Sequence, residues 1–166
     1  AGGNTTILPF AMQIKGQSLR KCVEDYHKKA QGNMYIDTSF HLIISDPTPQ
    51  VLGQELPALS KDGYTSFKVF MTYDDLVLND KELIEVFDVA KQLKTLVMVH
   101  AEGYDSIKYL SDKFEKEGKT APYYHAPTRP QIVEREATHR AISHAQIVDI
   151  PLMIVHVSGE EALNQI

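Results

Sequence analysis

Short runs of apolar, β-branched and aromatic residues alternate along this chain with longer amphipathic segments, and that alternation restricts its fold more than any other feature. Runs of the strand type occupy positions 6–10, 35–44, 66–71, 96–100 and 152–157, each bounded by turn-forming residues. Between them lie segments with helical spacing. Over 80–93, Leu83, Ile84, Val86, Phe87, Val89 and Ala90 form an apolar stripe among Lys and Glu, with Asn79 or Asp80 as N-cap. Helices are also expected over 103–116, stopping at Gly118, and over 131–148, where Pro130 suits a first turn that needs no N–H. The stretch 118–129, with two prolines, two tyrosines and His125, reads as the longest irregular segment. Strands separated by helices imply parallel strands joined by right-handed crossovers. The pattern fits an open doubly wound sheet or part of a (β/α)8 barrel, and periodicity does not choose between them. No G-x-G-x-x-G or P-loop motif follows the first strand, which takes support from nucleotide-binding open sheets.

With 166 residues, 43% hydrophobic and 23% charged, the chain is expected to form one domain, 1–166, with a sizeable core. A formal net charge of −5 offers no basic face for nucleic acid. No apolar run approaches the roughly 20 residues a membrane span needs, and the opening residues do not read as a signal peptide. The single cysteine, Cys22, excludes an internal disulfide, fits a reducing cytoplasmic setting and reads as a small packing residue.

The residues able to carry chemistry fall at the C-terminal ends of three predicted strands. Lys68, in Ser66-Phe67-Lys68-Val69-Phe70-Met71, sits among bulky apolar side chains, where burial favours the neutral amine. A neutral amine can take up carbon dioxide as a carbamate and become a bidentate oxygen ligand; the alternative is a lysine snorkelling to solvent. His100 follows Val97-Met98-Val99, and His156 follows Ile154-Val155. Either histidine alone fits a hydrogen-bonded core residue, whereas two of them with a buried lysine fit a site for zinc or a similar divalent ion.

These segments resemble the successive metal-site motifs of the dihydropyrimidinase and D-hydantoinase family: Ser66 through Tyr73, Val99-His100-Ala101-Glu102, and Ile154-Val155-His156-Val157-Ser158. The opening Ala1-Gly2-Gly3-Asn4-Thr5-Thr6 is similar to that family's entry to the second barrel strand. Tyr124 through Pro130, followed by Glu134, Glu136-Ala137-Thr138 and Arg140-Ala141-Ile142, is similar to its later helix. The resemblance implies a partial TIM (β/α)8 barrel holding about five of the eight strands, with the N- and C-terminal portions absent. It implies an enzyme that opens the cyclic amide of hydantoins or dihydropyrimidines to N-carbamoyl amino acids. Lys68 would be the carboxylated lysine bridging two divalent metal ions, zinc being the expected one. His100 and His156 would complete one metal site, and the Tyr73 hydroxyl would bind the ring carbonyl and the oxyanion formed from it. His125 and Arg129 match family positions and are read as structural.

Two departures stand out. The family continues H-A-E-N-G-D, whereas this chain has His100-Ala101-Glu102-Gly103-Tyr104-Asp105, which bears on loop shape and substrate preference. The family's H-x-H pair is missing from the seven histidines, and its later aspartate would lie beyond Ile166, so catalysis by this chain alone is expected to be impaired. His139 and His144 read as exposed helical residues. An allantoinase-type hydrolase and a non-enzymatic, metal-free tetrameric relative are the alternatives. A small cyclic amide or ureide as substrate, a homotetramer and a cytoplasmic location complete the expectation.

Overall fold

The computed structural model describes residues 2–166. Its centre is a five-stranded sheet of β2 (Phe10–Met12), β4 (His41–Ile43), β5 (Ser66–Phe70), β6 (Leu96–His100) and β7 (Leu152–Ile154), in that spatial order and parallel throughout. Each strand neighbours the one before it in the sheet, with no reversal of order. Doubly wound sheets reverse at a switch point, so this order is that of a barrel wall. A two-stranded parallel ribbon, β1 (Thr6–Ile7) with β3 (Asp37–Thr38), continues the start of the sheet.

Two strands expected to be continuous are therefore each divided. Pro9 has no N–H to add to a ladder, and it separates β1 from β2 while its carbonyl still accepts from His41 N at 3.0 Å. The same break recurs across the ladder between β3 and β4. The last strand ends at Ile154, short of the expected 157, because His156 leaves the extended region with φ +39°.

Helices α1 (Leu19–Ala30), α2 (Leu56–Lys61), α3 (Asp80–Leu93), α4 (Tyr104–Lys116), α5 (Gln131–Val148) and α6 (Glu160–Leu163) fill the connections. The bounds of α3 and α5 agree with the expectation, and Asn79 is the cap: its side chain accepts from Glu82 N, and Glu82 returns a carboxylate to Asn79 N. The segment 118–129 contains a 3-10 turn, Pro122–Thr128, where irregular chain was expected. A wide helical turn, Val51–Glu55, leads into α2 and was not foreseen, since Gly53 and Pro57 obscure its helical pattern. Glu55 from this turn is buried, and its Oε2 accepts Leu19 N at 2.6 Å and Arg20 N at 3.2 Å, satisfying the open end of α1.

Strand alternation sorts residues between two faces. Ala11, Leu42, Phe67 and Val97 form one register row, fully buried against helices that contribute Leu19, Leu56, Val86, Phe87 and Ala141. Cys22 belongs to this core as expected, and burial pushes its thiol up to about 11. The opposite face carries the row Met12, Ile43, Lys68, Met98 and Met153. Its middle is covered, and its ends, Met12 and Met153, are exposed. Helices α3 and α5 are joined by Arg140, whose guanidinium reaches Asp80 at 2.7 Å. His144, expected to be exposed, is instead largely covered with Nε2 3.3 Å from Asp80, while His139 is exposed. No described helix is long and apolar enough to cross a membrane.

Candidate active site

Register places Lys68 in the middle of the sheet, opposite Ile43 on one side and Met98 on the other. Only 4% of it is exposed, and among the described residues no carboxylate lies within ion-pair distance of Nζ. Its polar end meets aromatic faces instead, 4.9 Å from the Phe70 ring centre and 5.7 Å from that of Phe10. Burial without a counter-charge pulls the amine down from 10.5 to about 8. The snorkelling alternative fails, because the side chain stays inside.

At the end of β6, His100 stacks on Phe70 with ring centres 5.4 Å apart. Its Nε2 lies 2.6 Å from Glu102 Oε2, and its Nδ1 lies 2.9 Å from His156 Nε2. An ionised carboxylate only accepts, so Nε2 of His100 carries the proton in this pair. In the neutral ring Nδ1 is then left with its lone pair, and His156 Nε2–H donates to it. The bond from His100 holds Glu102 below the usual carboxylate range, with Arg129, at 3.9 Å, adding to it. Burial, followed by the neighbouring His100, holds His156 below its ordinary value.

Tyr73 stands on the loop after β5, its ring centre 5.2 Å from that of His100. Its φ is +74°, and its carbonyl accepts from Leu76 N and Val77 N, which stabilises this turn. Four non-glycine residues adopt positive φ among the described residues. Lys94 and Asp149 are ordinary left-handed helix caps. Tyr73 and His156 are not caps, and a backbone held in a sparse region by its surroundings is commoner at functional sites than elsewhere.

The structure thus gathers His100, His156 and Tyr73 at the C-terminal end of the sheet, with Lys68 at mid-strand joined to them through the Phe70 ring. His100 Nδ1 presents a lone pair to a cation, and His156 Nε2 would do so once its proton moves to Nδ1 of the same ring; a carbamate on Lys68 would add anionic oxygen. No cluster of three or more His, Cys, Asp or Glu side chains suited to a metal occurs among the described residues. Sequence reasoning assigns no contact to Glu102, which the structure places on His100, while Arg129, read as structural, pairs with Glu102. The proximity of Glu102 to His100 was the available signal, since metal-ligating histidines commonly donate their second N–H to a carboxylate. His125 is peripheral, with Nδ1 3.3 Å from Arg129 Nη1.

A cavity of about 820 Å³ opens beside Tyr73, walled by Met12, Ile14, Leu76, Tyr104 and Ile107. Tyr104 donates its hydroxyl to the Asp74 carboxylate, so the departure at 103–104 forms part of the wall.

Comparison with known proteins matches these elements in order. The chain is 48% identical over 166 residues to a D-hydantoinase of Ralstonia pickettii, covering 99% of this chain and 36% of that protein. It is 38% identical over 164 residues to the dihydropyrimidinase of Rattus norvegicus, covering 98% of this chain and 31% of that protein. The chain belongs to the D-hydantoinase and dihydropyrimidinase family. A solved D-hydantoinase structure superposes with a TM-score of 0.95 at 48% identity, over 99% of this chain and 36% of that one. The five parallel strands and their helices are accordingly part of a hydantoinase-type TIM barrel. This family chain spans about a third of the length of the relatives it matches. No protein-family model matches it.

Proposed function

We propose that the chain carries part of the active site of a metal-dependent cyclic amidohydrolase, which opens hydantoins or dihydropyrimidines to N-carbamoyl amino acids. The observation that carries this reading is the convergence of His100 Nδ1 and His156 Nε2, 2.9 Å apart, beside an inward-facing lysine without a counter-ion. The donor chemistry fits a divalent ion such as zinc: two imidazole nitrogens, one fixed in tautomer by Glu102, and a lysine whose neutral form is accessible near pH 8. Two such ions, when bound, would supply Lewis acidity and lower the pKa of a water molecule.

The chain's own residues would act as follows. The neutral amine of Lys68 attacks carbon dioxide, forming an N–C bond and releasing a proton, which leaves a carbamate with two oxygens. Glu102 keeps the proton of His100 on Nε2 and its lone pair on Nδ1. The Tyr73 hydroxyl donates to the ring carbonyl oxygen and holds the negative charge that gathers there as the amide carbon becomes tetrahedral. Phe70 and Met98 keep bulk water from the face that holds Lys68.

Zinc titration of the full chain in bicarbonate buffer, set beside His100→Ala and His156→Ala, tests the reading. Binding by the parent chain and its loss in both variants is expected; equal binding in all three removes the metal assignment. Product assays with hydantoin, dihydrouracil and allantoin test the reaction, and allantoin alone reacting would overturn the preferred substrate class. Turnover by the 166 residues is expected to be weak, because few metal donors converge in them. A cytoplasmic homotetramer is the proposed state, testable by light scattering and fractionation.

A further inference from the structure

His156 is exposed and carries an unfavourable backbone angle, yet its Nε2 meets His100 Nδ1 at 2.9 Å. Something outside the imidazole pair must hold the loop that follows β7. We propose that Glu134, on the first turn of α5, is the positioning residue that sets His156 against His100. Its Oε1 accepts Ser158 N at 2.8 Å and its Oε2 accepts Gly159 N at 2.7 Å, so one carboxylate binds two successive amides just after His156. Hydrogen bonds to an ionised acceptor are about twice as strong as neutral ones. Ser158 Oγ returns a bond to the His156 carbonyl at 3.0 Å, tying the held amides to the histidine backbone.

A second observation agrees. A Cβ at the buried Gly159 would lie 3.0 Å from Glu134 Oε2 and 3.3 Å from Gln131, so the loop is packed closely onto this carboxylate and a side chain here would press on it. Residues on either side of Glu134 meet the loop that follows the other histidine. Gly103 N donates to Val133 O at 3.2 Å, and a Cβ on Gly103 would lie 3.0 Å from Glu136 Oε2. The start of α5 is thus a common seat for the loops that follow both histidine strands. Glu134 holds one loop, and the Val133 carbonyl holds the other. The helix itself is anchored by Val133, Ala137 and Ala141 in buried positions.

The functional consequence rests on His100 and His156 being metal ligands; the positioning does not. Glu134→Gln keeps the size of the side chain but leaves one oxygen to accept, with an amide nitrogen facing the other N–H. In the full chain, zinc affinity is expected to fall about tenfold or more, with the circular dichroism spectrum retained. Unchanged affinity in a folded variant overturns the proposal. If the parent chain binds no zinc, the metal reading falls, and ¹⁵N-histidine NMR decides the positioning on its own. Loss of the His100–His156 ring pairing signature in Glu134→Gln supports the proposal, and its persistence overturns it. Should Glu134→Gln not fold, Gly159→Ala presses on the same carboxylate and is expected to give the same loss, while unperturbed pairing there refutes the proposal. Glu161→Gln, which breaks only the 3.1 Å pair with Arg135, is the control expected to leave pairing and affinity unchanged.

Discussion

Replacing Lys68 with Met should make the folded chain more stable at neutral pH, although it removes the amine proposed to form the carbamate. The two side chains have similar length, and Met adapts to irregular packing, so the dominant change is loss of a buried amine. Each tenfold loss of proton affinity corresponds to about 1.4 kcal/mol, and a fall from 10.5 to about 8 therefore to about 3 kcal/mol. The sign follows from linkage. The folded pKa lies below the unfolded one, so the unfolded chain holds more protons between those values and stability rises with pH there. The penalty is complete below about pH 8 and is gone above about 10.5. Urea unfolding of both proteins should be measured at pH 7, 8, 9 and 10 in chelated buffer free of carbon dioxide. The advantage of Lys68→Met should be about 3 kcal/mol at pH 7 and shrink steadily as the buffer approaches pH 10. Taking the difference between the two proteins cancels Cys22 and the tyrosines, which titrate in both. An advantage that is absent, or flat across the series, would refute the account of Lys68 as a buried amine without a counter-charge.

Other perturbations probe the frame and the site separately. Phe87→Ala empties a fully buried position and should lower stability by about 3–5 kcal/mol in urea. Asn79→Ala opens the capping box of α3 and should cost about 1 kcal/mol by the same assay. Glu102→Gln should leave thermal unfolding nearly unchanged yet weaken zinc binding about tenfold, since the amide can no longer fix the His100 tautomer by charge; an unaltered titration would contradict this role.

Much of the frame is legible in the sequence because it is periodic. The stripe over 80–93 and the segment over 131–148 predict helices whose ends agree with the structure, and Asn79 with Glu82 marks one end chemically. Lys68 and His100 stand out because polar groups set in apolar runs are costly to bury without a purpose, and His156 because it follows a similar run. What escapes is set by contacts far apart in the chain. Pro9 divides two strands at once because the partner strand has to follow its break. The segment 51–61 is helical despite Gly53 and Pro57 because Leu56 and Leu59 are drawn into the core. His144 is covered where α5 packs against α3, with Nε2 3.3 Å from Asp80, which its own helix cannot reveal. Glu134 reads as one more helical carboxylate until the loop after β7 is seen to rest on it.

The order of the strands has a kinetic consequence. Every strand in the sheet pairs with its predecessor, so assembly can proceed in modest loop closures, each with a small entropic cost. The widest of these is the last, which brings residue 152 back to residue 97 across α4 and α5. Contacts distant in sequence form late, because the chain entropy is lost before the contact repays it. His156 arrives with β7, so the imidazole pair should form only after β2, β4, β5 and β6 have paired. In refolding experiments, the ring signal of His100 should therefore report the docking of β7, lagging behind the burial of Phe67 and Val97.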